Sequence, residues 1–209
     1  MKLLAVCLGR PQALPGRRLR TGIFKAPVDG PVMIGREGLA GDAICNGKYH
    51  GGEEQAVLLE GSLTLDWWSA QLGYEIAPGT FGENIVVAGL DNRDVSAGDR
   101  FVIGSVVLEA TSPRTPCATL AARMESPAIV KDYIRAGRPG IYCRVIEPGT
   151  VRAGDEVRDH PFEGLRIGIP EMMAKFGKRL SEEDGRRFLS APIHADMRAA
   201  IKAGKPAKF

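Results

Sequence analysis

A mainly β fold with a few helices, followed by a small three-helix C-terminal region, is what the sequence predicts. Three observations carry it. Up to about residue 158, short runs of β-favouring residues recur between turns. Turn formers are plentiful, with 26 Gly and 14 Pro in 209 residues, against an average of roughly 12% for the two together. After His160 the apolar period changes from that of a strand to that of a helix. The division falls between residues 1–159 and 160–209.

The strands come first. Leu3 to Leu8 is an apolar run of six, too short for a signal-peptide core or a membrane span, and reads as the first strand. Val32/Ile34, Ala56 to Leu59, Ile85/Val87, Val106/Leu108/Ala110 and Ile141/Cys143/Val145 alternate or form short buried runs, a spacing that suits a barrel or a sandwich. Val95-Ser-Ala-Gly-Asp99 and Val151-Arg-Ala-Gly-Asp155 repeat one phrase before a strand, which predicts two equivalent turns. Helices are announced by caps: Ser62 opens one ending at Gly73, and Ser126 with Pro127 opens one ending at Gly137. In the tail, Pro170 to Leu180 sets Met172, Met173, Phe176 and Leu180 on one face. Ser181 starts a second helix, and Ile193, Met197, Ala200 and Ile201 mark a third.

Composition narrows the classes. Charged residues are 25% and hydrophobic residues 44%, so fibres and disorder are excluded. Residues 1–28 carry six Lys or Arg and no acid, the middle is acidic, and the end is basic again. Such ends can neutralise an anion or simply be solvated. Aromatic residues are only 6% and no basic run exceeds two, which argues against nucleic acid. Cys7, Cys45, Cys117 and Cys143 are too scattered for a disulfide framework, and a reducing cytoplasm is the simpler setting.

Pro113-Arg-Thr-Pro-Cys117 is the most informative pentapeptide. Pro116 fixes the chain before Cys117, and Ala118 to Met124 reads as helix, so the thiol stands at a helix N-terminus beside Arg114. That setting favours a thiolate. Nucleophile, soft metal ligand and buried structural thiol all remain open; Cys7 and Cys143, within apolar alternation, read as structural. A second cluster holds Gly38-Leu-Ala-Gly-Asp42 and Tyr49-His-Gly-Gly52, glycines that let a ligand approach the backbone, although such stretches are often plain turns. Cys45 and His50 lack a zinc spacing, and nothing supplies the third group that a cysteine hydrolase would need to orient His50. Phe81-Gly-Glu-Asn84 reads as a turn in which Asn84 bonds the local backbone.

Together these motifs are similar, in order and spacing, to the MOSC family, named for the C-terminal domain of molybdenum cofactor sulfurase: Gly38 to Asp42, Tyr49 to Gly52 with Gln55-Ala-Val57, Phe81 to Asn84, Gly98-Asp99 and Pro113 to Cys117. Thr21-Gly-Ile-Phe-Lys25, Pro27 to Val32 and the helical tail resemble its YiiM-type branch, associated with resistance to 6-N-hydroxylaminopurine. The resemblance implies a MOSC-type β-barrel binding the molybdenum cofactor, a molybdopterin with molybdenum, with Cys117 as ligand to the metal. Asn84 matches a cofactor-contacting position; Lys25, Asp42, His50, Gly51, Gly52 and Arg114 match positions lining the site, and Lys25 is the foremost candidate for the cofactor's phosphate.

The expected activity is reduction of N-hydroxylated substrates, hydroxylaminopurines or amidoximes, with Cys117 tuning the metal and His50 assisting with a proton. Alternatives are a sulfur carrier using a Cys117 persulfide and a cofactor storage or delivery protein. No G-x-G-x-x-G opens a helix after a strand and no short-spaced iron–sulfur motif is present, so a separate reductase or ferredoxin-like electron donor is expected. Zinc, pyridoxal phosphate, nucleic acid and membrane are not expected as partners; a homodimer is compatible with the sequence.

Overall fold

The computed structural model describes residues 1–14, 20–47 and 50–208. Arg17 and Arg18 of the basic segment and Tyr49 of the histidine motif lie outside the described residues. The strands are β1 (Leu3–Gly9), β2 (Gln12–Ala13), β3 (Arg20–Thr21), β4 (Lys25–Pro27), β5 (Val32–Gly35), β6 (Gly38–Leu39) and β7 (Val57–Gly61); of these, alternation predicts β1, β5 and β7, and the two- and three-residue strands carry no such signal. β8 (Ile85–Val87), β9 (Arg100–Ile103), β10 (Val106–Pro113), β11 (Ile141–Glu147), β12 (Gly149–Val151) and β13 (Val157–His160) follow. The helices are α1 (Ser62–Leu72), α2 (Ala118–Arg123), α3 (Ile129–Ala136), α4 (Ile169–Lys175), α5 (Glu182–Leu189) and α6 (Ala195–Lys202).

The result is a mixed, sheet-dominated fold. Eight strands form one sheet in the order β13-β9-β10-β11-β7-β8-β1-β4. Its ladders are antiparallel apart from β7 and β8, which run parallel and are connected through α1. The expectation of a closed barrel is not met as such: among the described residues no ladder joins the end strands β13 and β4. What links the first strand to β13 is a single bridge, Lys2 to Glu156, with Leu3 N–H donating to Asp155 O at 2.9 Å and Val157 N–H to Met1 O at 3.0 Å.

Apolar side chains fill both faces of the sheet. On one, Val6, Leu59, Ile103, Leu108 and Cys143 pack with Met172, Phe188, Ile193 and Met197 of the tail. On the other, Cys7, Trp68, Phe81, Leu120, Ile129 and Tyr133 pack beneath α1, α2 and α3. The repeated phrase forms two matching turns. Gly98 and Gly154 take φ of 90° and 95°, and Asp99 and Asp155 accept from the backbone N–H of Ser96 and Arg152 at 2.8 and 2.9 Å.

Four local expectations change. Ser126 does not cap its helix: α3 has Ala128 at the cap position and no side-chain cap. Ser62 does not cap α1; its hydroxyl accepts from Gly89 N–H at 2.9 Å, and Gly61 holds the cap position. The helix read from Pro170 to Leu180 stops at Lys175, because Phe176 is extended and Gly177 takes φ 75°. Ser181 does cap α5, accepting from Asp184 N–H at 3.1 Å, and the third tail helix is present. Asn84 bonds distant backbone rather than its own turn; Glu83 serves the turn, accepting from Gly79 and Phe81 N–H at 2.6 and 3.0 Å.

Candidate functional site

The end of β1, the segment leading into β4, the loop after β6, the turn before β8 and the junction of β10 with α2 converge on one pocket. Lys25, Asp42, His50, Gly51, Asn84, Arg114 and Cys117 all line it. Gly52 instead stands at the N-cap of the short 3-10 turn Glu53–Gln55, with φ 75°. Close backbone approach makes this convergence possible. A Cβ on Gly22 would run into the carbonyl of Ala43, and one on Gly9 into the carbonyl of Gly22, so glycine is what lets the three segments stack.

Asp42 ties the wall together. One carboxylate oxygen accepts from Gly9 N–H at 2.8 Å; the other accepts from Asn84 Nδ2 at 2.8 Å and from Lys25 Nζ. Asn84 is buried, and its amide also accepts from Leu58 N–H at 3.1 Å and donates to Cys7 O at 3.4 Å. Burial lowers the Lys25 pKa although Asp42 pulls it up, the balance expected of an ammonium with one counter-ion and little water.

Arg114 is different. Its backbone N–H is satisfied by Gly140 O at 2.8 Å, and its guanidinium lies 5.6 Å from the Tyr133 ring centroid. Only 5% of the residue is exposed, yet Nη1 has no hydrogen-bond partner among the described residues. Two buried carboxyls, Glu60 and Glu83, bear on this cation electrostatically. Burial, then repulsion from Glu83, raises the Glu60 pKa well above the usual carboxylate range, and burial raises that of Glu83 against the backbone hydrogen bonds its carboxylate accepts.

Cys117 sits at the N-cap of α2 with extended backbone, its residue half-buried and facing the pocket. Cys45 lines the same pocket from the loop. Cys7 and Cys143 are buried. Burial, with Glu83 second, pushes the Cys7 thiol up to about 12, and burial raises Cys143 as well; both match the structural reading.

His50 is on the rim, exposed as a residue while its ring borders the pocket. Burial of the imidazole, then the charges of Arg114 and Lys25, lowers its pKa. The Tyr142 hydroxyl lies 3.4 Å from His50 Nδ1, and burial raises the phenol pKa, so Tyr142 keeps its proton. Here is an orienting group for the imidazole that motif reading did not supply. A signal existed: Ile141, Cys143 and Val145 point into the core, so alternation puts Tyr142 on the opposite face. Gln55, part of the Gln55-Ala-Val57 motif but given no role from it, and Thr119, which nothing local in the sequence marks, also line the pocket.

With this geometry in view, the class is plain. The MOSC domain model matches residues 46–158, and the chain belongs to the MOSC family, in its YiiM-type branch. YflK of Bacillus subtilis is 32% identical over 188 residues, covering 89% of this chain and 83% of that protein. YiiM of Escherichia coli is 32% identical over 152 residues, covering 71% and 67%. A protein of Gibberella moniliformis named reductase is 33% identical over 162 residues, which are 74% of this chain but 28% of that protein. The crystal structure of YiiM from Geobacillus stearothermophilus superposes with a TM-score of 0.79 at 25% identity, covering 97% of this chain and 98% of the other. No helix among the described residues is long and apolar enough to cross a membrane.

Proposed function

We propose that this chain is a molybdenum-cofactor oxidoreductase that reduces N-hydroxylated compounds, such as hydroxylaminopurines or amidoximes, to the amine or amidine. The observation that carries the reading is the meeting of Cys117 with Arg114 in one pocket: a half-buried thiol and a buried guanidinium whose Nη1 lacks a partner among the described residues. A soft ligand beside a buried cation suits an anionic group that bears a metal. Among the described residues no three His, Cys, Asp or Glu side chains gather to hold a bare ion. One thiol suffices for a metal that arrives with ligands of its own.

The cofactor, when bound, supplies the two-electron change that breaks the N–O bond. The chain does the rest. Cys117 Sγ would hold the metal; Arg114, with the already paired Lys25 behind it, would face the anionic part of the cofactor, and Asn84 with Asp42 keeps that wall rigid. Gly51 would let the cofactor lie against the backbone, and His50, with Tyr142 at its Nδ1, would relay from solvent a proton to the departing oxygen, one of the two that the reduction to amine and water consumes. Residues 1–159 carry the site and residues 160–209 brace it. The name of the Gibberella relative supports redox chemistry. Only 28% of that protein is matched, and we infer that electrons reach this chain from a separate donor. The four free cysteines suit the cytoplasm.

The test is elemental analysis of the protein made in cofactor-producing cells, followed by turnover of a hydroxylaminopurine or an amidoxime with a chemical reductant. Stoichiometric molybdenum and turnover are expected, with a drop of roughly a hundredfold in His50→Gln. Labile sulfur on Cys117 without molybdenum would instead mark a sulfur carrier, and molybdenum without turnover a storage or delivery protein.

A further inference from the structure

The C-terminal helices reach the pocket at one place. His194 precedes α6, and its Nδ1 accepts from the backbone N–H of Asp196 at 3.1 Å. The residue is buried, and burial lowers its pKa against the opposing pull of Glu54 and Asp196, which keeps the ring neutral. A neutral imidazole that accepts at Nδ1 carries its proton on Nε2. That nitrogen lies 3.4 Å from the Gln55 side-chain amide. An N–H on His194 cannot bond an NH2, so the amide oxygen must be the atom turned towards it; the two ends of a Gln amide are told apart only by their partners.

The NH2 of Gln55 then points the other way. Gln55 lines the pocket, and no further hydrogen bond to its amide occurs among the described residues. The backbone that carries it is clamped. Ala195 N–H donates to Glu54 Oε2 at 3.0 Å, Thr111 Oγ1 donates to Glu54 O at 2.7 Å, and His194 N–H donates to Thr111 O at 3.0 Å.

We propose that Gln55 presents its amide NH2 to the pocket as a fixed hydrogen-bond donor, set by His194, and so selects a ligand with an oxygen acceptor at that point. The inference rests on the proposed function in taking this pocket as the site of cofactor and substrate. Two sources offer the acceptor: an oxygen of the cofactor or the N–O oxygen of the substrate. Gln55 is thus a specificity residue and His194 a positioning residue, and the tail contributes to recognition without lining the pocket.

The first measurement is the ring 15N spectrum of His194 in the full-length chain, with and without cofactor. Protonated Nε2 with unprotonated Nδ1 is expected in both, and the reverse tautomer overturns the proposal whether or not the protein holds molybdenum. The second uses Gln55→Glu, nearly the same shape but unable to donate from its carboxylate. A loss of roughly tenfold or more is expected, as for a donor replaced by a repelling acceptor. If the acceptor is the cofactor's, molybdenum retained through gel filtration falls; if it is the substrate's, molybdenum stays and KM rises. Unchanged retention together with unchanged KM overturns the proposal. Absence of molybdenum from the unmutated protein would refute the proposed function instead, and the His194 spectrum would still decide this one.

Discussion

Lys25 and Asp42, 17 residues apart, form an ion pair in the pocket wall, and Asn84 Nδ2 donates to the same carboxylate oxygen at 2.8 Å. Their side chains are 9% and 7% exposed. The charge that Lys25 offers a ligand is therefore already shared, and bulk salt screens it weakly.

Removing the carboxylate should cost more than removing the amine. Asp42→Ala leaves the ammonium of Lys25, Gly9 N–H and Asn84 Nδ2 without their acceptor, and a destabilisation of about 3–5 kcal/mol is expected in denaturant unfolding. Pairing it with Lys25→Met should recover a good part of the loss. A single variant as stable as the parent would show that the pair is not holding the wall.

Cys117→Ser should fold normally and lose metal and turnover, since serine is close in shape but a much harder ligand. Cys7→Ser should leave the metal in place and lower the melting temperature instead, because that thiol is buried and its pKa is pushed up to about 12. Full turnover in Cys117→Ser would remove the mechanism.

Acid stability should report on Asp91. Burial works against its ionisation, but hydrogen bonds from Arg93 and then Arg138 hold the carboxyl down to about 2. A depressed carboxyl contributes stability that is present above its unfolded value of roughly 3.9 and is lost as pH falls through the folded value. The shift corresponds to about 2 kcal/mol. Asp91→Asn should forfeit that above pH 4 and unfold with a flatter dependence between about pH 4 and pH 2; parallel curves for the two proteins would refute the assignment.

Turnover should need a protein donor. Reducing an N–O bond takes two electrons, and the four cysteines are dispersed, two of them buried. The purified chain should be inactive with NADH or NADPH alone and active with a chemical reductant or an added reductase. NADPH-driven turnover by the single chain would contradict the separate-donor reading.

Much of the scaffold was legible because its signals are local. Period-two runs at Ile141 to Val145 and Val106 to Ala110, the cap at Ser181 and the twin Val-to-Asp turns each depend on a few adjacent residues. Where a residue had a local and a distant option, local reading failed. Ser62 serves Gly89 and Asn84 serves Leu58, Cys7 and Asp42, because tertiary partners outbid the nearest backbone once water is excluded.

The family resemblance that the motifs carry picks out Lys25, Asp42, His50, Gly51, Asn84, Arg114 and Cys117, which line one pocket, and Gly52, which does not. Only the tertiary structure decided what each is free to do. Lys25 and Asp42 are spent on one another, while Arg114, three residues before Cys117, keeps an Nη1 with no partner among the described residues. Tyr142 and Gln55 enter the site through strand pairing and the reach of α6, contacts that span 92 and 139 residues. Charge, hydrogen-bond partner and tautomer are properties of the neighbours that folding brings within about 3 Å, and those neighbours are not adjacent in the chain.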